Sequence, residues 1–154
     1  MTDLKTAAVA ALQGKTIATA ESCTGGGIGE ALTSVPGSSA VFKGGIISYC
    51  DEVKHRLLGV SWDILEKYGA VSAPVAEAMA AGARLALNTH MAISTTGLAG
   101  PAGDSYGNSV GTVFIGWSDE NVTFAREYHF TGDREEVRFQ AVEAALQMIA
   151  EQNP

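Results

Sequence analysis

Proline is scarce in this 154-residue chain, 4 residues against 18 glycines, which excludes a proline-rich spacer. The glycines gather in pairs and triplets between apolar runs, the pattern of tight turns. Cysteine is scarcer still. Cys23 and Cys50 show no CxxC and no Cys/His spacing, so a zinc site has no support, and a chain of this size needs no disulfide to hold a core. Long apolar runs are missing: none nears the roughly 20 residues that span a bilayer. The opening MTDLKTAAVAALQGK has no basic segment leading into an apolar one, so the expected location is the cytoplasm. Basic residues are outnumbered, 10 against 17 acidic, for a net charge of -7. Nucleic acid and anionic membrane are poor partners for such a surface. A small phosphate-bearing ligand is still admitted, where glycine amides meet one or two cations.

With 46% hydrophobic and 18% charged residues, the composition is that of a compact globular chain, expected to form a single domain over residues 1–154. Apolar periodicity predicts a helix from Leu4 to Gln13, stopped by Gly14. TIATAES then reads as a short buried strand entering a glycine turn, followed by a helix from Ile28 to Thr33. VFKGGIISYC predicts a strand with a bulge at its glycine pair. Short helices follow in DEVKHRLLG and from Asp63 to Tyr68, and a longer alanine-rich one from Val75 to Leu87 with Pro74 in its first turn. MAISTTG is a strand, LAGPAGDSYGNS a loop, VGTVFIGWS and VTFAREYHF a hairpin, and GDREEVRFQAVEAALQMIAEQ a closing helix. Strands alternating with helices predict an α/β fold, a three-layer α/β/α sandwich whose late strand pair makes the β-sheet mixed. Ligands in such folds sit at the carboxyl ends of strands, which selects AESCTGG and STTGLAGP.

AESCTGG sets Ser22 before glycine amides, a nucleophile beside ready oxyanion donors, although serine and threonine are also the usual helix caps. A serine nucleophile needs a base. His55, His90 and His129 lie away from the strand-end loops, and the GxSxG elbow is absent because Ala20 stands two before Ser22. A desolvated lysine can serve instead. SYCDEVK offers Tyr49 at a strand end and Lys54 one turn into the next helix, with a buried tyrosine and a solvated lysine as the plainer reading. TTGLAGP, with Thr96 and Gly97, suits a phosphate or a polar ring substituent and is neither a P-loop nor a dinucleotide fingerprint. In GDREEVR, Arg134 is a cation at a helix start, where the dipole disfavours it, as for a residue that grips phosphate.

AESCTGGGIGEALTSVPGSS, VFKGGIISYCDEVKHRLLGV, YGAVSAPVAEAMAAGAR, STTGLAGPAG, VGTV and FTGDREEVR, in that order and spanning about residues 5 to 150, resemble the C-terminal domain family of the competence/damage-inducible protein CinA. Single-domain members are nicotinamide-nucleotide amidases. The resemblance implies hydrolysis of nicotinamide mononucleotide (NMN) to nicotinate mononucleotide and ammonia in pyridine-nucleotide salvage, with no cofactor and no metal. It implies Ser22 as nucleophile, Tyr49 and Lys54 as activating partners, and the amides around Thr24, Gly25 and Gly26 as the oxyanion hole. Thr96, Gly97 and Arg134 match positions that contact substrate or support the site, with Arg138 the rival of Arg134, and a homo-oligomer is in keeping with the family. A member that binds nucleotide without turning it over is the alternative. The chain departs from the family's commoner residues at Cys50-Asp51 and at Asn108-Ser109, the former setting a carboxylate next to the tyrosine.

Overall fold

The computed structural model describes residues 3–152. Five strands form one sheet in the order β2-β1-β3-β4-β5. β1 (Ile17–Glu21), β2 (Phe42–Ile47) and β3 (Met91–Gly97) run parallel, while β4 (Thr112–Ser118) and β5 (Thr123–His129) are antiparallel additions. β1 and β4 are buried at every residue, so both read as apolar or small runs, with Glu21 closing β1 as the one charged residue. β5, at one edge, carries Arg126, Glu127 and His129 toward solvent. The register shift expected at the glycine pair of β2 is present, where Ile17 faces Phe42 but Ala18 faces Gly44.

Helices cover both faces, giving the expected α/β/α sandwich with a mixed sheet. On one side α1 (Leu4–Ala11), α2 (Gly27–Thr33) and α6 (Arg134–Glu151) close the larger core, around Ile17, Ile28, Ile93, Ile115, Trp117 and Met148. On the other, α3 (Asp51–Leu58), α4 (Trp62–Tyr68) and α5 (Ala73–Leu87) close a smaller one, around Val75, Met79, Leu58 and Val60. The alanines of α5 let its backbone lie on the sheet, where the Ser94 hydroxyl donates to Ala76 O at 2.6 Å. Ser72 caps α5 and Asp133 caps α6 through a full capping box with Glu136.

The topology positions the site. From the carboxyl end of β1 the chain turns toward β2, and from that of β3 it turns toward β4. Neighbouring parallel strands whose exits diverge leave a crevice between their ends. β1 and β3 are paired in register up to Glu21 opposite Thr95, so Ser22 and Thr96 emerge side by side.

Candidate active site

The turn after β1 is built around Glu21, buried to 2% exposure. Its Oε1 accepts from the Thr24 hydroxyl (2.6 Å), Gly26 N (3.1 Å) and Ile28 N (2.9 Å), and its Oε2 from Gly29 N (2.9 Å). The orphan amides that open α2 are thus satisfied by a carboxylate folded back from the strand, not by Ser22 or Thr24 as a cap. The glycine run lets α2 lie against α6: a Cβ on Gly27 would come within 2.9 Å of Val142 Cγ2. Four donors to one carboxylate hold the turn in a single conformation.

Ser22 stands at the top of this turn, its amide donating to Thr95 O at 3.0 Å. Across the crevice, Lys54 projects from the buried face of α3 and is itself 1% exposed. Its Nζ donates to Ser22 Oγ (3.1 Å) and to Ser48 O (2.8 Å). Burial lowers the Lys54 pKa below its ordinary 10.5, and Asp51, Cys50 and Cys23 oppose the shift by favouring the charged form. A neutral amine keeps both contacts: one N–H remains on Ser48 O, and the lone pair turns to the Ser22 hydroxyl. That is the arrangement of a serine with its base.

A cleft of about 360 Å³ opens in front of Ser22, lined by Cys23, Tyr49, Asp51, Lys54, the Ala70-Val71 pair, the segment 96–102 and Arg134. At its mouth the Tyr49 hydroxyl accepts from Arg134 Nη2 (2.7 Å), and Arg134 Nη1 donates to Gly100 O (2.6 Å). Among the described residues Tyr49 makes no hydrogen bond to Ser22 or Lys54, so of the predicted trio only the serine and lysine meet directly. Thr96 faces the wall, its hydroxyl on Ala70 O (2.7 Å), and Gly97 lies against Val113 of β4. Cys23 lines the cleft beside Ser22, but burial pushes its thiol up to about 11.

Three predicted residues take other places. The amide of Gly25 already donates to Ser22 O (3.1 Å) and that of Gly26 to Glu21, which leaves the N–H groups of Cys23 and Thr24 without a protein acceptor among the described residues. Arg138 lies outside the cleft, in a groove between α1, α2 and α6, where it binds the carbonyls of Cys23 and Thr24. Sequence reasoning missed Glu21 as the centre of the turn. An acid closing a buried strand, five to eight residues before amides that nothing else caps, was the available signal. No three His, Cys, Asp or Glu residues gather to hold a metal among the described residues, and no described helix is long and apolar enough to cross a membrane.

The sequence profile of the CinA C-terminal domain matches residues 2–153. Nicotinamide-nucleotide amidohydrolase PncC from Pseudomonas putida is 49% identical over 130 residues, 84% of this chain and 81% of that protein. A CinA-like protein from Thermosynechococcus vestitus is 47% identical across 90% of this chain but 34% of its own length. The chain thus spans about a third of such longer relatives. Among solved structures, a CinA superfamily protein from Klebsiella pneumoniae superposes with a TM-score of 0.94 at 34% identity, covering 97% of this chain and 94% of that one. A competence/damage-inducible protein from Agrobacterium tumefaciens gives 0.92 at 35%, covering 100% and 98%.

Proposed function

Because the chain belongs to the CinA C-terminal domain family, we propose that it is a nicotinamide-nucleotide amidase that hydrolyses the carboxamide of NMN through an acyl-enzyme on Ser22. The observation that carries the reading is the buried Lys54 Nζ 3.1 Å from Ser22 Oγ, with the lysine pKa lowered by burial. The similarity to an enzyme whose name states this reaction supplies the substrate class.

Neutral Lys54 takes the hydroxyl proton as Ser22 Oγ bonds to the carboxamide carbon, and the carbonyl oxygen becomes an oxyanion. The Lys54 ammonium then protonates the amide nitrogen, the C–N bond breaks, and ammonia leaves. Water attacks the acyl carbon, Lys54 accepts its proton and returns it to Ser22, and nicotinate mononucleotide is released. Arg134, bonded to Tyr49 and Gly100 at the cleft mouth, is the cation for the phosphate, and the Tyr49 hydroxyl keeps its own proton to donate to the same group. Thr96 and Gly97 form the wall along which the ring lies.

Ammonia release from NMN by purified protein tests this, with EDTA present and Ser22→Ala alongside. Release that survives EDTA and disappears in the variant is the expected result. NMN binding with turnover no faster than Ser22→Ala sinks the reading and leaves a nucleotide-binding domain.

A further inference from the structure

Four residues apart on α6, Arg134 and Arg138 look like alternative ligands for one phosphate, yet only Arg134 reaches the cleft. Arg138 turns the other way. Its Nε donates to Cys23 O at 3.1 Å and its Nη2 to Thr24 O at 3.4 Å, from the groove behind the nucleophile turn. Gly25, at φ +59°, lies against this guanidinium, and a Cβ there would sit 3.4 Å from Nη2, in ordinary contact.

A trans peptide is planar, and its C=O and N–H point in opposite directions. Fixing a carbonyl therefore aims the amide at the other end of the same plane. In the Thr24–Gly25 peptide, Thr24 O accepts from Gly27 N at 3.0 Å and from Arg138 Nη2 at 3.4 Å, and the Gly25 N–H at the far side donates inward to Ser22 O at 3.1 Å. The preceding peptide is held in the same manner, with Cys23 O on Arg138 and the Thr24 N–H directed away from α6. That N–H has no protein acceptor among the described residues, and it lies two residues past Ser22. A cation on the carbonyl also polarises the peptide and strengthens its N–H as a donor.

We propose that Arg138 is a positioning residue: by gripping the Cys23 and Thr24 carbonyls it aims the Thr24 N–H at the oxygen that becomes the oxyanion when Ser22 attacks. The inference rests on the amidase reading and assigns Arg138 no contact with substrate. Its planar fork reaches the two carbonyls from separate nitrogens in a fixed geometry, which a single ammonium nitrogen on a flexible stem does not hold.

The test compares Arg138→Met, Arg138→Lys and wild type in steady-state NMN hydrolysis. NMN affinity is measured calorimetrically in Ser22→Ala with and without Arg138→Met. Deleting an oxyanion donor costs about 100- to 1000-fold in kcat, so a donor left in place but poorly aimed should cost about 10- to 100-fold. The expected result is that loss in kcat for both variants, with KM changed by less than about twofold and NMN affinity unchanged in the Ser22→Ala pair. In a third variant, Arg138→Ala, low-millimolar guanidinium should restore part of the lost kcat through the groove that the side chain leaves open. A raised KM with kcat intact overturns the proposal in favour of a substrate contact. A kcat loss matched by an equal loss of Ser22 titratable with a fluorophosphonate overturns it in favour of a purely structural role, and unchanged kcat removes any role. If wild type itself releases no ammonia, the amidase reading fails and this inference with it, an outcome visible before any Arg138 variant is assayed.

Discussion

The turn after β1 and the loop after β3 look alike in sequence: hydroxyls, then glycines, at the carboxyl end of a parallel strand. They are built on different principles. The first closes in six residues around one buried carboxylate, and Glu21 takes the amides of Gly26, Ile28 and Gly29 while those of Cys23 and Thr24 stay open among the described residues. The second, residues 98–111, is long and exposed. It is pinned from outside: Asp104 accepts from Tyr106 N, Asn108 N and Asn108 Nδ2, the Tyr106 hydroxyl donates to Glu66 O, and Asn108 Nδ2 donates also to Val71 O. A reacting hydroxyl has to be held to a fraction of an ångström from its base, and a buried ionic hub achieves that. A substrate wall needs shape, and surface hydrogen bonds to neighbouring helices suffice.

The largest effect is expected at Lys54. Lys54→Met is expected to lower kcat by about 1000-fold or more, at the upper range of what a positioned acid–base group contributes. It should also raise the melting temperature, because a buried cation is exchanged for an apolar side chain of similar length. The pH dependence of that gain follows from the lowered pKa. The folded chain disfavours the proton on Lys54 and the unfolded chain does not, so the penalty is full below the folded pKa and fades as pH rises toward 10.5. Melting curves of the two proteins across that range should converge at the alkaline end, and divergence there contradicts the assignment.

Glu21→Gln strikes the hub of the first turn. The amide offers one acceptor oxygen where the carboxylate offers two, and turns an NH2 toward backbone donors. A loss of about 2–4 kcal/mol in chemical denaturation is expected, the range for breaking a buried charged network. The same experiment on Asp104→Asn in the second loop should show about 1 kcal/mol or less, since that carboxylate sits near the surface. Equal losses at the two positions would erase the distinction.

Arg134→Met sharpens the contrast between rim and turn. KM for NMN should rise about 10-fold to 100-fold, the worth of a charge-assisted pair, while hydrolysis of the riboside lacking the phosphate is unaffected. A similar rise for the riboside would mean that Arg134 does not meet the phosphate. The smallest effect is reserved for Asp51→Asn. Asp51 favours the charged form of Lys54, so its removal lowers the lysine pKa further. The amine must be neutral to act, and the acid limb of the kcat/KM profile should therefore move to lower pH. Movement to higher pH is incompatible with Lys54 as the base.

Much of this was legible in the residues. β1 is four apolar or small residues ended by an acid, and α3 starts where Asp51 and Glu52 complement its dipole, so the strand–turn and strand–helix contexts of Ser22 and Lys54 could be read directly. Their meeting follows from β1 and β2 being parallel neighbours, which the sequence does not state. Tyr49 and Lys54 are five residues apart but one lies before α3 and the other on its buried face, and spacing alone could not separate a rim residue from a buried one. The two arginines of α6 posed the same difficulty. Positions four apart share a helix face, but Arg134 is in the first turn and reaches past the helix end toward Gly100, while Arg138 lies over the turn after β1. Glu21 was hidden because three of its four partners are backbone amides, which leave no trace in residue type.

The chain's two thiols form an unequal pair for anyone wishing to watch this protein. Cys23 adjoins Ser22, and burial pushes its thiol up to about 11, so maleimides and iodoacetamide should pass it over at neutral pH. Cys50 is exposed, one residue from Tyr49. A fluorophore attached there would report nucleotide arrival at the rim in unmutated protein, leaving the serine free to be counted separately by its own reagents.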